Sequence, residues 1–252
     1  MKRILVLLLL AGVTFASGAQ TVPAPPAKVA IISLIGDSID IVTYRPRVGT
    51  HVESNYKQSV PITGVAFDFA AMKSAAAAIA QALPGAEIVT LGVPAAGSSL
   101  DPTELVAGSK ISATHPLITA LQQEKFTHVL VITKLDAAAH FDFMDTHVGS
   151  GRVHGLGFYI DKELELQNTV TGETGRGFIA PYAYMQLALI KVEPLQLLGQ
   201  KRITQSRTRG AAANKTGLDA WGAMSPDEKV ESLRKLVAAG VSETTPTLFP
   251  AK

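Results

Sequence analysis

The chain has no cysteine. That excludes a disulfide framework, a thiolate metal site, a cysteine nucleophile and a lipid-modified N-terminal Cys. Aromatic residues are scarce at 6% and charged residues at 17%, so Ala and small aliphatics carry much of the 47% apolar share. Such a chain is too apolar for disorder and has ample material for a core. An excess of one charge sign is also lacking. Losing Lys2 and Arg3 with a leader takes the 23 basic residues to 21, level with the 21 acidic ones. Nucleic acid is therefore not expected as the main partner, since phosphate binding needs a basic face. Beyond the N-terminus, no apolar run approaches the about 20 residues that a membrane-spanning helix needs.

What is present first is an export pattern. Met1-Lys2-Arg3 precedes an apolar run over residues 4–13, and small residues, Ala16, Ser17, Gly18 and Ala19, close the segment. A cationic start, a short apolar stretch and small residues at the end are the three parts of a cleavable secretory signal. Cleavage falls after Ala19 or Gly18. The run is too short for a membrane anchor. Residues 20–27 then form a Pro-rich tether, too donor-poor to join a sheet interior. Residues 28–252 remain for a single α/β domain, and the mature chain is expected to be a soluble periplasmic or secreted protein.

Residues 28–42 are β-branched and almost continuously apolar, as in a strand buried on both faces. Gly36-Asp37-Ser38 interrupts them, which leaves either one bulged strand or two strands with a turn. Residues 44–64 read as a long surface loop. Residues 67–83 predict an Ala-rich helix stopped by Pro84-Gly85. A strand over 86–93, an irregular loop over 94–113, a helix over 115–124 capped by Thr114, and a buried strand over 127–134 follow. This order predicts a parallel βαβαβ core. Alternation over 157–167, a Gly-rich turn over 171–177, and long strands over 179–192 and 195–207 add antiparallel hairpin strands. Residues 210–217 read as a connector. Ser225-Pro226-Asp227-Glu228 carries an N-cap, Pro at the first helical position and a capping-box Glu. Val230, Leu233, Leu236 and Val237 then make a core-facing stripe, with Gly240 ending the helix. The fold class predicted is α/β, a mixed sheet with a parallel core, a C-terminal antiparallel hairpin and a terminal helix.

Two constellations bear on chemistry. Gly36-Asp37-Ser38 is similar to the GDS motif of SGNH-type esterases and lipases, and that resemblance implies a nucleophilic Ser38. A serine nucleophile needs a base and oxyanion donors. In that family the base His stands near the C-terminus, three residues after an Asp. Here the last histidine is His154 and no Asp-x-x-His occurs. The competing reading gives Asp37 and Ser38 a turn role through side-chain-to-backbone hydrogen bonds. The second constellation is Asp136, His140, Asp142, Asp145, His147 and His154. Alternate positions share a strand face, so His140 pairs with Asp142 and Asp145 with His147. Imidazole plus carboxylate suits a divalent transition metal, although exposed loops commonly hold such residues without one. Phe141, Phe143 and Met144 alternate with these polar residues and read as core if the strand is half-buried, or as an exposed binding lip if it is not. Trp221 reads as a packing anchor. The glycines at 149, 151, 155 and 157 read as turn formers, because no helix follows to complete a phosphate loop.

The order of elements resembles the periplasmic α/β module of curli-secretion-type outer-membrane lipoproteins and of the N-terminal domain of the Tol-system β-propeller protein. The resemblance is carried by the strand 28–34 followed by the helix 67–83, by Phe126-Thr127-His128-Val129-Leu130-Val131-Ile132, and by residues 185–192 turning into Leu195-Gln196-Leu197-Leu198. This chain departs from it in having no lipidation Cys, and in placing Glu193-Pro194 where a Gly-containing turn is usual. The resemblance implies binding and assembly rather than catalysis. The expected function is that of a non-catalytic exported factor whose partner is an envelope protein or other periplasmic component, and which needs no cofactor. An ester hydrolase using Ser38 and a metal-binding periplasmic protein are the alternatives.

Overall fold

The computed structural model describes residues 26–46, 55–92, 105–107, 110–143, 146–167, 172, 174–210 and 220–249. The leader and most of the tether lie outside the described residues, as do Met144, Asp145 and much of the expected 94–113 loop and 210–217 connector. The described residues hold fifteen strands and three α-helices. In chain order these begin with β1 (Lys28–Ser33), β2 (Ser38–Thr43), β3 (Tyr56–Pro61), α1 (Ala66–Ala82) and β4 (Glu87–Thr90). Then come β5 (Val106–Ala107), β6 (Lys110–Ile111), α2 (Pro116–Gln123) and β7 (His128–Lys134). Four short strands follow: β8 (Asp136–Ala138), β9 (Phe141–Phe143), β10 (Thr146–Val148) and β11 (Arg152–His154). The chain closes with β12 (Leu156–Gln167), β13 (Thr174–Lys191), β14 (Gln196–Ser206), β15 (Arg209–Gly210) and α3 (Pro226–Thr244).

The architecture is the expected mixed α/β sheet. β1 pairs in parallel with β4 on one side and β7 on the other, which is the predicted parallel core. What organises the sheet is β13, whose 18 residues are long enough to serve two sets of neighbours. Along one edge it pairs antiparallel with β12 through residues 174–183 and with β7 through residues 185–191. Its other edge takes β15 and β14. The sheet therefore forks. One wing runs β7-β1-β4 and the other runs β12-β2-β3. At the fork, Leu135 N–H donates to the Tyr184 carbonyl (3.0 Å) and Tyr184 N–H to the Gly155 carbonyl (2.8 Å), so β13 stitches the two wings together.

Side-chain alternation distributes the core over three layers. Val29 and Ile31 of β1, with Leu130 and Ile132 of β7, face α1 and α3. Ala30, Ile32, Val129 and Val131 face the opposite side, under Leu117, Ile118 and Leu121 of α2. Both faces are sealed, which explains the continuous apolar run in β1. On the other wing the second face is covered by the β8–β11 segment. There Phe141 packs with Tyr159, Tyr182 and Tyr184, and all four are at most 1% exposed.

Of the two readings left open at Gly36-Asp37-Ser38, the structure has two strands, β1 and β2, which lie in different wings and do not pair with each other. Several expectations are corrected. The expected loop over 44–64 contains β3, an edge strand antiparallel to β2. Its mostly exposed side chains erase the alternation by which a strand is recognised. The expected loop over 94–113 contains the small hairpin β5–β6. Within the expected turn over 171–177, β13 already begins at Thr174. His115, not Thr114, caps α2: its Nδ1 accepts from Leu117 N–H at 3.2 Å. The capping box at Ser225 and Glu228 forms as expected. Gly240, however, does not end α3, which continues to Thr244. Gly240 lies where a Cβ would come within 2.6 Å of Ile203 on β14, so its role is close packing of helix on sheet. Of the stripe on α3, Leu233 and Val237 are buried, while Val230 is 55% exposed.

Candidate functional site

Ser38 lies where the chain leaves one wing for the other. β1 ends at Ser33, and the next residues cross the fork under the first turn of α1. Asp68, in that turn, is 5% exposed. It accepts hydrogen bonds from Ser33 Oγ at 2.7 Å and Ile35 N–H at 2.9 Å. Gly36 passes so close that a Cβ there would lie 2.3 Å from Asp68 Oδ2. A carboxylate near a helix N-terminus is also favoured by the helix dipole. Asp68 thus fastens the crossover to the helix.

Lys134, the last residue of β7, fastens the other side. Its Nζ donates to Ser38 Oγ (2.8 Å) and to the Ser38 carbonyl (3.1 Å), and lies 2.5 Å from Asp37 Oδ1. Three donors meet three acceptors. The hydroxyl of Ser38 thus accepts from Lys134 at the turn between the two wings.

Next to this junction is a buried polar group on β2, Asp40, which is 5% exposed. Lys57 of β3 reaches its Oδ2 at 2.7 Å, at an angle outside hydrogen-bonding geometry. The contact is therefore coulombic. The fully buried Tyr182 hydroxyl likewise has no aligned partner. Burial above all pushes the Tyr182 phenol far up, and the Asp40 carboxylate and Tyr184 add to this against the His154 backbone. His154 on β11 is pulled below the ordinary imidazole value, first by burial and then by Lys134 and Lys57, with Asp40 and Asp136 opposing.

The histidine- and aspartate-rich segment folds as two nested hairpins. β8 pairs with β11, placing His154 opposite Asp136, and Arg152 forms an ion pair with Asp136. β9 pairs with β10, placing His147 opposite Asp142. The burial of Phe141 forces its neighbours His140 and Asp142 outward. His147 Nδ1 lies 2.7 Å from Asp142 Oδ1, and the His140 and His147 rings are 4.0 Å apart, tilted by 33°. One ligand atom from each of His140, Asp142 and His147 falls within 4.8 Å of the others. The structure thus brings together three of the expected metal-ligand candidates. His154 belongs with Asp136 at the hairpin base, outside that group of three, and Asp145 lies outside the described residues. Phe141 and Phe143 serve as packing: Phe143 stacks on Phe178 with centroids 6.2 Å apart. Trp221 meets Phe158 edge-on at 5.5 Å, and Lys229 Nζ stands 3.9 Å over its ring.

The sequence reading missed Asp68, Lys134, Asp40 and Lys57. Asp68 sat in a segment legible as a helix, and its acidic character amid alanines was the available signal. Lys134 is separated by 96 residues from its partner Ser38, so no local pattern announces it. Two open grooves of about 540 and 560 Å³ flank α3, and neither is lined by any candidate residue named from the sequence.

This arrangement defines a forked mixed α/β sheet with a polar junction and a histidine-bearing hairpin. The sequence matches no protein-family model and no curated protein. Among solved structures, the chain is similar to a protein described as a neuraminyllactose-binding hemagglutinin homolog from Helicobacter pylori. That match has 10% identity and a TM-score of 0.37, and covers 94% of this chain and 88% of the other. It is also similar to PelC from Paraburkholderia phytofirmans, which crystallises as a dodecamer, at 13% identity and a TM-score of 0.34 over 90% of both chains. A third is protein XCC0632 from Xanthomonas campestris, of family DUF330. There the identity is 10% and the TM-score 0.38, over 89% of this chain and 83% of the other.

Proposed function

We propose that the chain is an exported, non-catalytic binding or assembly factor of the cell envelope. The observation that carries this reading is the junction at Ser38, where the serine singled out by its GDS sequence is engaged by the Asp37-paired Lys134 ammonium. Supporting it are the three-part leader at residues 1–19 and the balanced charge of the remaining chain. The layout's resemblance to the curli-secretion-type and Tol-system periplasmic module points the same way. No helix of the described residues is long and apolar enough to cross a membrane.

The experiment is expression of the full-length gene in a bacterial host with periplasmic release by osmotic shock. Intact mass is expected to show cleavage after Ala19 or Gly18. Reversible cross-linking in cells of the native source is then expected to trap one envelope protein stoichiometrically. Retention of the uncleaved chain in the cytoplasm would refute export. Turnover of short acyl esters abolished by Ser38→Ala would refute the non-catalytic assignment.

A further inference from the structure

We propose that the β9–β10 hairpin carries a divalent transition-metal site made by His140, Asp142 and His147. The donor set comes from two strand-pairing facts. Asp142 and His147 are direct cross-strand partners, and His140, two residues before Asp142, shares its outward face. Their ligand atoms lie within 4.8 Å of one another. Tetrahedral ligands at about 2.0 Å from zinc are about 3.3 Å apart, so modest side-chain rotations close the triangle. All three side chains are exposed.

The backbone beneath the donors is already held. The Tyr184 hydroxyl accepts from His140 N–H at 3.3 Å and donates to the His140 carbonyl at 3.0 Å. Thr208 Oγ1 donates to the Asp142 carbonyl at 2.8 Å. Phe141, between the two donors, is wholly buried. Anchoring of this kind lowers the ordering cost of binding. The short His147–Asp142 contact becomes two metal bonds when an ion enters.

Two imidazoles and one carboxylate select zinc, copper(II) or nickel over calcium and magnesium, which prefer all-oxygen shells. Copper(II) binds tightest by the usual order of stability. Three protein ligands leave positions open to water or to a donor from another molecule. The site does not depend on the export reading, and its test can fail independently of it.

Untagged mature protein, stripped with chelator, is titrated with Zn²⁺ by calorimetry and with Cu²⁺ by electron paramagnetic resonance. One equivalent is expected, with copper hyperfine structure from two nitrogens. His140→Ala and His147→Ala should each weaken binding by more than about tenfold, and each should leave one nitrogen. His154→Asn should bind like the parent. Urea midpoints and circular dichroism check that the variants fold. The proposal is overturned by the absence of saturable one-to-one binding, by a copper spectrum lacking nitrogen coupling in the unaltered protein, or by binding that survives the His140→Ala/His147→Ala double substitution.

Discussion

Asp68→Ala is expected to cost about 3–4 kcal/mol of folding stability. The carboxylate is buried and receives two hydrogen bonds, from Ser33 Oγ and Ile35 N–H. Bonds to a charged acceptor contribute about 1.5–3 kcal/mol each. Alanine removes both and leaves a hydroxyl and a backbone N–H without partners in a dry crossover. Release of the buried carboxylate's own desolvation cost offsets part of the loss, which places the expectation near the lower half of the sum. Both donors meet the same oxygen, Oδ1, so Asp68→Asn can keep both bonds and loses only the charge, for an expected cost of about 1–2 kcal/mol. Ser33→Ala, which leaves the Ile35 bond in place, should cost about 1–2 kcal/mol. Equilibrium urea denaturation is the assay. With a slope of about 2–3 kcal/mol/M for a domain of this size, Asp68→Ala should lower the midpoint by roughly 1–2 M at unchanged slope. A loss below about 1 kcal/mol, or equal losses for Asp68→Ala and Ser33→Ala, would refute the claim that Asp68 fastens the crossover through both donors.

Three further expectations follow from single contacts. A Cβ at position 157 would lie 2.1 Å from the Asp40 carbonyl and 2.5 Å from the Tyr182 hydroxyl, so Gly157→Ala should destabilise by about 2 kcal/mol or more through overpacking between paired strands; an unchanged thermal midpoint would contradict it. Ser225→Ala breaks the capping box of α3 and should cost about 1 kcal/mol, read by urea denaturation. Stability should also fall in acid through His154 and His128, both lowered chiefly by burial, His154 also by Lys134 and Lys57 and His128 by Lys191. A depressed imidazole binds fewer protons folded than unfolded, so its contribution is complete above the unfolded value of about 6.5 and is lost as pH falls from there through the folded values. Urea midpoints between pH 7.5 and 5 should decline, and His154→Asn should flatten part of the decline.

Much of the scaffold was legible because its signals are local. The capping box of α3 involves residues three apart, and the β-branched run of β1 reports burial on both faces without reference to any partner. That His140 and Asp142 share a face followed from strand alternation alone. Other features left no local trace. β3 is exposed on nearly every side chain, so it carries no hydrophobic pattern. Gly240 carries the usual mark of a helix end, yet it is needed where α3 presses on Ile203. His115 displaced Thr114 as the cap because imidazole Nδ1 reached the free Leu117 N–H.

The amino-acid order alone determined the leader pattern, most of the longer strands and helices, the terminal cap and which hairpin side chains share a face, because each depends on residues a few positions apart. Folding in three dimensions decided the rest. It forked the sheet along β13, pinned Ser38 beneath Lys134 from 96 residues away, buried Asp68 against Ser33 and Ile35, and set His147 beside Asp142 and His140. Those outcomes depend on strand register and on which wing each strand joins, and register is settled only when distant segments bury their apolar faces together.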